Sequence, residues 1–383
     1  MRIRYSMIGG GPGSFIGAVH RRAAWLDGGF ELVGGAFSSD PERSRSTGNE
    51  LGLAPERVHG RYEDLLHDEV SRDVSERIHA VSIVTPNHMH AAPTMMAMEM
   101  GFHVIVDKPL AFSLSEAREI EAVMRKTGKI LALTHTYAGY PMVKEARSRI
   151  QAGALGSLRK VYVEYPQGWL STFLESEGNR QAGWRTDPVR SGAGGSVGDI
   201  GTHAAHLAEY VTGLKITEVC AELNTVVKGR KLDDDVAALL HFEQQVTGVL
   251  TATQIAAGEE NAVKIRVYGE KGGLEWSHSD PNTLLFKPLD GPVQVLRSGM
   301  GYLSEAAARA TRLPAGHPEG YIEAFSNLYT AFGQAVIAES VGTFSAITDY
   351  DFPSIEEGLR GMAFIETMIA SSKSSEKWTK LIL

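Results

Sequence analysis

The feature that most constrains this chain is a glycine run near its start. Gly9-Gly10-Gly11-Pro12-Gly13-Ser14-Phe15-Ile16-Gly17 follows directly on the short apolar run Tyr5 to Ile8 and leads into a helical pattern. Glycines between a buried strand and a helix let the backbone turn tightly and bring its N–H groups toward an anion at the helix N-terminus. The spacing departs from G-x-G-x-x-G. Gly9 and Gly11 fit, but the third glycine arrives late, at Gly17. The loop therefore reads as about two residues longer than usual.

A strand–glycine–helix start predicts further alternation, and the next hundred residues supply it. Phe30 to Phe37, Ala80 to Val84, His103 to Val106 and Ile130 to Leu133 are short apolar runs bounded by polar, Gly or Pro residues, as buried parallel strands are. Helical stretches separate them. The clearest is Ser113 to Lys126, where Ser113 and Glu116 form a capping box and Gly128 follows the end. The expected fold is α/β, with an N-terminal doubly wound parallel sheet of the Rossmann type.

Past residue 140 the texture changes. Helices are read around Met142 to Ala152 and His203 to Val211. Strands follow at Lys160 to Tyr165, Glu218 to Leu223, Val236 to Phe242, Val249 to Gln254, Lys264 to Tyr268 and Thr283 to Lys287. Glu270-Lys271-Gly272-Gly273 reads as a turn. This close succession predicts a large, mostly antiparallel open sheet. A chain of 383 residues is too long for one ordinary core. Residues 1–138 are expected to form the nucleotide domain and 139–383 a substrate and oligomerisation domain. The tail helix, Ile355 to Lys373, is placed to pack back on the first domain.

The bulk numbers exclude several classes. The net charge is −8 and no Lys/Arg-rich run occurs, so neither nucleic acid nor anionic lipid is an expected partner. Cys220 is the only cysteine, which rules out an internal disulfide and a four-cysteine zinc site. No stretch approaches roughly 18 apolar residues, and the N-terminus lacks the apolar length of a signal peptide. The expected location is the cytoplasm. The methionine-rich stretch Met95 to Met100 reads as helix core.

Four further features complete a pattern. Thr85-Pro86-Asn87-His88-Met89-His90 follows the third strand, and Asp107-Lys108-Pro109 follows the fourth. Trp184-Arg185 precedes Gly194-Gly195-Ser196-Val197-Gly198-Asp199-Ile200-Gly201-Thr202-His203. Asp233-Asp234-Asp235 and His317-Pro318-Glu319-Gly320-Tyr321 come later. Together with the glycine loop they resemble the glucose-fructose oxidoreductase/inositol dehydrogenase (Gfo/Idh/MocA) family, over essentially the whole chain. Asp107-Lys108-Pro109 matches its E-K-P with Asp for Glu, and the later glycine segment matches its G-G-x-x-x-D-x-G-x-H. His206 stands where many members carry Asp, and the glycine loop is longer.

The resemblance implies an NAD(P)-dependent oxidoreductase acting on a polyol, sugar or sugar-derived alcohol, with dimers or tetramers formed through the second sheet. It places the catalytic residues at Lys108, Asp199 and His203. The dinucleotide contacts fall on Gly9, Gly11, Pro12, Phe15 and Ile16 of the loop, then on Thr85, Pro86, Asn87 and His90, and on Asp107 and Lys108. At the second strand's end a carboxylate would bind a ribose 2′-hydroxyl and repel a 2′-phosphate. The sequence there is Ser38-Ser39-Asp40-Pro41-Glu42-Arg43. Ser38 and Arg43 lean toward NADP; Asp40, curled back, would suit NAD.

The residue types suit that chemistry. Oxidising a secondary alcohol needs a hydride acceptor and a group to take the hydroxyl proton. A lysine beside a cationic nicotinamide gives up its proton more readily, and it can hydrogen-bond a developing alkoxide. Asp199 and His203 are four apart and would share one helix face, His203 exchanging a proton and Asp199 orienting it. The competing readings are a surface lysine on a turn and a capping Asp followed by buried histidines. A metal reading, with Asp199, His203 and His206 as ligands, also competes, but no metal is expected because no further Cys or clustered His lies near. Lys108, Tyr137, Trp184, Arg185, Asp199, His203 and His317 are the candidate substrate contacts, with Tyr140 beside them.

The expected function is oxidation of a secondary alcohol of a sugar, glycoside or cyclitol to a ketone. The alternatives are an NADPH-dependent keto-sugar reductase and a non-catalytic sugar- or nucleotide-sensing regulator.

Overall fold

Apolar runs without a polar face need a sheet covered on both sides, and the first five strands form one. A computed structural model of the protein describes residues 1–383. Strands β1 (Ile3–Gly9), β2 (Phe30–Ala36), β3 (Ala80–Val84), β4 (His103–Val106) and β5 (Leu131–Leu133) lie in the order β2-β1-β3-β4-β5, every pair parallel. Helices α1 (Phe15–Leu26), α2 (Pro41–Glu50), α3 (Tyr62–Ser71), α4 (Ala91–Glu99) and α5 (Leu114–Thr127) run between them. The start of α5 is set as its sequence predicts. Ser113 Oγ accepts from the Glu116 N–H at 3.2 Å, Glu116 reaches back to the Phe112 N–H at 3.0 Å, and Gly128 ends the helix at φ +66°.

The chain divides into two units. One is Met1–Thr136 with Phe325–Leu359; the other is Tyr137–Ala324 with Arg360–Leu383. The first cut lies between Thr136 and Tyr137, and Phe325–Leu359 returns to the first unit. The returning segment takes in most of a helix that sequence reading had not assigned to the first domain. In the first unit Tyr5, Phe30 and Tyr329 pack edge to face, with ring centroids 5.1 Å apart for Phe30–Tyr329 and 6.0 Å for Tyr5–Phe30.

The second unit holds α6 (Pro141–Gln151), β6 (Leu158–Pro166), α7 (Arg180–Arg185), α8 (Pro188–Ser191) and α9 (Thr202–Thr212). Its strands continue as β7 (Ile216–Asn224), β8 (Asp235–Phe242), β9 (Thr247–Thr253), β10 (Lys264–Gly269), β11 (Gly272–Ser277), β12 (Thr283–Pro288), β13 (Gln294–Arg297) and β14 (Thr379–Lys380). The nine strands pair as β13-β12-β11-β10-β6-β9-β8-β7-β14, antiparallel except for β6 and β9. Along β8, Val236, Ala238, Leu240 and Phe242 are buried while Ala237 and Leu239 are exposed. That alternation marks a sheet with one covered face and one open face. Helices α6 and α9 lie on the covered side, against β11, β12, β6 and β9. The expected turn is present, Glu270-Lys271 joining β10 to antiparallel β11, which begins at Gly272. Two long helices follow α10 (Glu305–Arg309), α11 (Tyr321–Ser340) and α12 (Ile355–Lys373), ahead of β14. No helix is long and apolar enough to cross a membrane.

Candidate active site

In the first unit the chain leaves β1 for β2 on one side and later fills β3 on the other. The strand order therefore reverses at β1 and β3, and ligands of open α/β sheets bind outside the carboxyl ends at such a point. Gly9 pairs with Val84 there, so the glycine loop and Thr85 lie side by side. Gly9, Gly10 and Gly13 sit at φ +84°, +76° and +80°, conformations that disfavour a side chain. A Cβ on Gly11 would stand 2.6 Å from the Phe37 carbonyl oxygen, and one on Gly17 would collide with Gly10. Gly17 is thus the third glycine of the fingerprint, allowing close helix–strand packing inside α1 rather than starting it. Ser14 caps α1 by accepting from the Gly17 N–H at 3.2 Å. Pro12 and Phe15 are exposed at this helix start and Ile16 is half-buried. A bare, positive-φ loop at a helix N-terminus fits the pyrophosphate of a dinucleotide.

The rim of this cradle comes from three strand ends. Beyond β2, Asp40 is committed to capping α2, its Oδ1 accepting from the Glu42 and Arg43 N–H groups at 3.0 and 3.3 Å. Ser38 is half-buried and Arg43 exposed. Beyond β3, Thr85 Oγ1 donates to the Met89 carbonyl at 2.8 Å, while Asn87 and His90 are buried. Beyond β4, Asp107 accepts from Thr134 Oγ1 at 2.7 Å and lies 3.9 Å from His20 Nε2. Burial pushes the Asp107 carboxyl up, but His20, Lys108 and Thr134 outweigh it and hold the group well below the usual carboxylate range. His20 is in turn held by Tyr329 at 2.8 Å and Ser82 at 3.2 Å. Lys108 is half-buried, and its bond to Pro109 is cis.

In the second unit the segment around Asp199 is built by Asp233. Its two carboxylate oxygens accept the Gly195 and Val197 N–H groups, each at 2.7 Å. A Cβ on Gly195 would collide with the Asp233 carbonyl, so the glycine is needed for the clamp to close. Burial pushes the Asp233 carboxyl up to about 6, against the two N–H groups that pull it down. The clamped loop enters one turn of π-helix, Val197–Gly201, which runs into α9. The four-residue spacing from Asp199 to His203 therefore crosses from the π-turn into α9. Asp199 is carried by the wider π-turn, and its Oδ2 accepts from Gln254 Nε2 at 2.9 Å and lies 3.5 Å from Arg185 Nε.

His203 is buried on α9, its ring meeting the Tyr137 ring edge to face at 5.2 Å and the Tyr165 ring at 6.3 Å. Tyr137 and Tyr165 hydroxyls are 2.6 Å apart. Asn261 donates to Tyr137 at 3.0 Å and accepts from Tyr165 at 2.6 Å and from Gln167 at 2.7 Å. Burial raises the Tyr137 phenol to about 12, so it stays a neutral hydrogen-bonding group. Trp169 donates to Gln167 at 3.1 Å, and the Arg185 guanidinium lies 4.3 Å from the Trp184 ring and 5.9 Å from that of Trp169.

Of the sequence candidates in this unit, the structure gathers Tyr137, Trp184, Arg185, Asp199 and His203. It does not gather His317, which is exposed, its ring nitrogen against the Pro314 carbonyl at 3.2 Å. Its neighbour Glu319 is the buried member of that segment, capping Arg312 and Leu313. His206 stacks on Tyr210 at 5.9 Å. No group of three or more His, Cys, Asp and Glu side chains is arranged to hold a metal. Gln167, Trp169, Gln254 and Asn261 were missed. Their one signal is position, since Gln167 and Gln254 each follow the end of a strand, β6 and β9, that pair in parallel.

A glycine-looped Rossmann sheet followed by a nine-stranded sheet carrying this Asp–His segment defines a nucleotide-dependent oxidoreductase. Comparison with known proteins gives the family. Residues 3–135 match the oxidoreductase family with an NAD-binding Rossmann fold, and residues 143–275 match the GFO/IDH/MocA C-terminal domain. The uncharacterized oxidoreductase YfiI of Bacillus subtilis is 33% identical over 381 residues, 99% of this chain and 96% of that protein. An inositol dehydrogenase homolog from Azotobacter vinelandii complexed with NAD+ aligns with a TM-score of 0.95 at 37% identity, covering 99% of this chain and 97% of that one. A structure from the same organism with NADH and myo-inositol aligns at 0.92 and 36%, covering 99% and 98%. Levoglucosan dehydrogenase of Pseudarthrobacter phenanthrenivorans is 26% identical over 327 residues, 79% of each protein. The chain belongs to the GFO/IDH/MocA family of NAD-binding oxidoreductases.

Proposed function

We propose that this protein oxidises a ring secondary alcohol of a cyclitol, sugar or glycoside to the ketone. The observation that carries the reading is the polar cluster of the second unit. Asp199, Gln254, Gln167, Asn261 and two tyrosine hydroxyls are hydrogen-bonded together beside His203, with Trp169 and Trp184 adding flat apolar faces. Several fixed donors and acceptors next to aromatic faces suit a polyhydroxylated ring. The relatives that bind myo-inositol or are named for levoglucosan support the same class.

The bound dinucleotide supplies the hydride acceptor. His203 takes the hydroxyl proton, Lys108 hydrogen-bonds the same oxygen as negative charge develops, and Asp199 orients the histidine. Gln254 and Arg185 hold the Asp199 carboxylate in place while it does so. Cofactor choice draws two supports that point apart. Ser38 in place of a carboxylate favours NADP, whereas the Azotobacter homolog holds NAD+ or NADH. The open sheet face at Ala237 and Leu239 supports a homodimer or homotetramer. A screen of inositols, monosaccharides and glucosides with NAD and NADP, read by absorbance of the reduced cofactor, tests the reading. Reduction of cofactor with a cyclitol or sugar supports it. Activity confined to acyclic or non-hydroxylated substrates would overturn it.

A further inference from the structure

His90 is buried, with 1% of its surface exposed, and both ring nitrogens face carbonyl oxygens. Nδ1 lies 2.7 Å from the Pro109 oxygen and Nε2 lies 2.9 Å from the Thr85 oxygen. A carbonyl oxygen only accepts. A neutral imidazole has one N–H, so it satisfies one of these contacts and sets two lone pairs against each other at the other. Only the imidazolium donates to both. The two partners are not neighbours in sequence. Thr85 opens the turn after β3, and Pro109 closes the Asp107-Lys108-Pro109 turn after β4.

We infer that His90 is a positioning residue for Lys108: protonated, it ties the β3 turn to the lysine's turn on both sides, and neutral, it lets one side go. This rests on the proposed role of Lys108. The charged groups facing the ring are Asp107 and Lys108, both on the turn after β4. Burial pushes the imidazole pKa below its ordinary value, and Lys108 acts in the same sense. The Asp107 carboxylate and the two carbonyls push the other way, and burial prevails. The tie is therefore complete on the acid side and half released as pH rises.

The test compares the wild type with His90→Gln, whose amide donates to one carbonyl at a time at every pH. Imidazole-15N NMR of the NAD+-saturated full-length protein needs no substrate, so its outcome stands whatever becomes of the proposed function. Comparison with the variant's spectrum assigns the His90 signals. The expected result is two protonated ring nitrogens in acid and one after a titration below the ordinary histidine value. The ratio of wild-type to variant kcat, on a substrate from the screen, is then expected to be roughly tenfold larger at low pH than at high pH, as for one charge-assisted hydrogen bond. A ring with a single protonated nitrogen throughout would overturn the inference. So would a ratio that does not change with pH, which is what a merely structural histidine gives.

Discussion

Asp233→Asn is expected to remove a pH-dependent loss of stability and to lower activity. Burial pushes the Asp233 carboxyl up to about 6, from an ordinary 3.8. Between those two values the folded chain holds a proton that the unfolded chain has lost, so stability falls as pH rises through that window. The difference corresponds to about 3 kcal/mol. An amide resembles the neutral carboxyl in shape and never ionises, so the variant escapes this loss. The missing acceptor sets a pH-independent penalty, so what is expected is a change: between pH 4 and above pH 6 the variant's stability relative to the wild type rises by up to about 3 kcal/mol, whatever the offset at pH 4. For a cooperative unit of some 200 residues that is roughly 6–12 °C in Tm. The cost falls on function. An amide has one acceptor where the carboxylate uses two, at Gly195 and Val197, so the turn leading to Asp199 and His203 loosens. The assay is thermal unfolding of both proteins across pH 4 to 8. A Tm difference that is flat with pH, or one that moves in favour of the wild type as pH rises, would refute the argument. The second outcome would mean that the two N–H groups outweigh burial and hold the group ionised.

Two further predictions concern the dinucleotide. Gly11→Leu is expected to abolish cofactor binding in a titration followed by fluorescence. The structure supplies a reason beyond a filled pyrophosphate site, because the new Cβ meets the Phe37 carbonyl at 2.6 Å and displaces the loop itself; unchanged affinity would contradict it. Ser38→Asp is expected to shift the ratio of kcat/KM toward NAD over NADP, since a carboxylate repels a 2′-phosphate. No shift would place the discrimination at another residue.

The first sheet was legible because its strands carry no polar face, so run length and bounding residues were enough to find all five. Strand β11 was hidden by its own glycines. Gly272-Gly273 has the composition of a turn, yet a Cβ on Gly273 would stand 2.6 Å from the Tyr268 ring, so the glycine reflects crowding within the sheet. Strand β13 is a four-residue edge strand with Val295 exposed, too short for alternation to show. The motif residues Lys108, Asp199 and His203 were singled out by their order along the chain. Their surroundings were not, because Gln254, Gln167 and Asn261 reach the cluster through strand pairing and not through any local pattern. The π-turn was invisible for the same kind of reason: it is imposed by Asp233, some 35 residues further on. His317 was singled out as a histidine beside proline and glycine; it stands apart from the cluster, exposed two residues before the buried Glu319.

The central claim is that Lys108 and His203 carry the chemistry while the glycine loop holds the cofactor. The measurement that tests it most directly is single-turnover cofactor reduction by the Lys108→Ala and His203→Ala variants, with dinucleotide affinity measured on the same samples. The account predicts a loss of roughly a hundredfold or more in rate for each, as for a positioned acid–base or charge-stabilising group, with dinucleotide affinity close to wild type. Near wild-type turnover in both variants would contradict it, and would place the catalytic groups elsewhere in the chain.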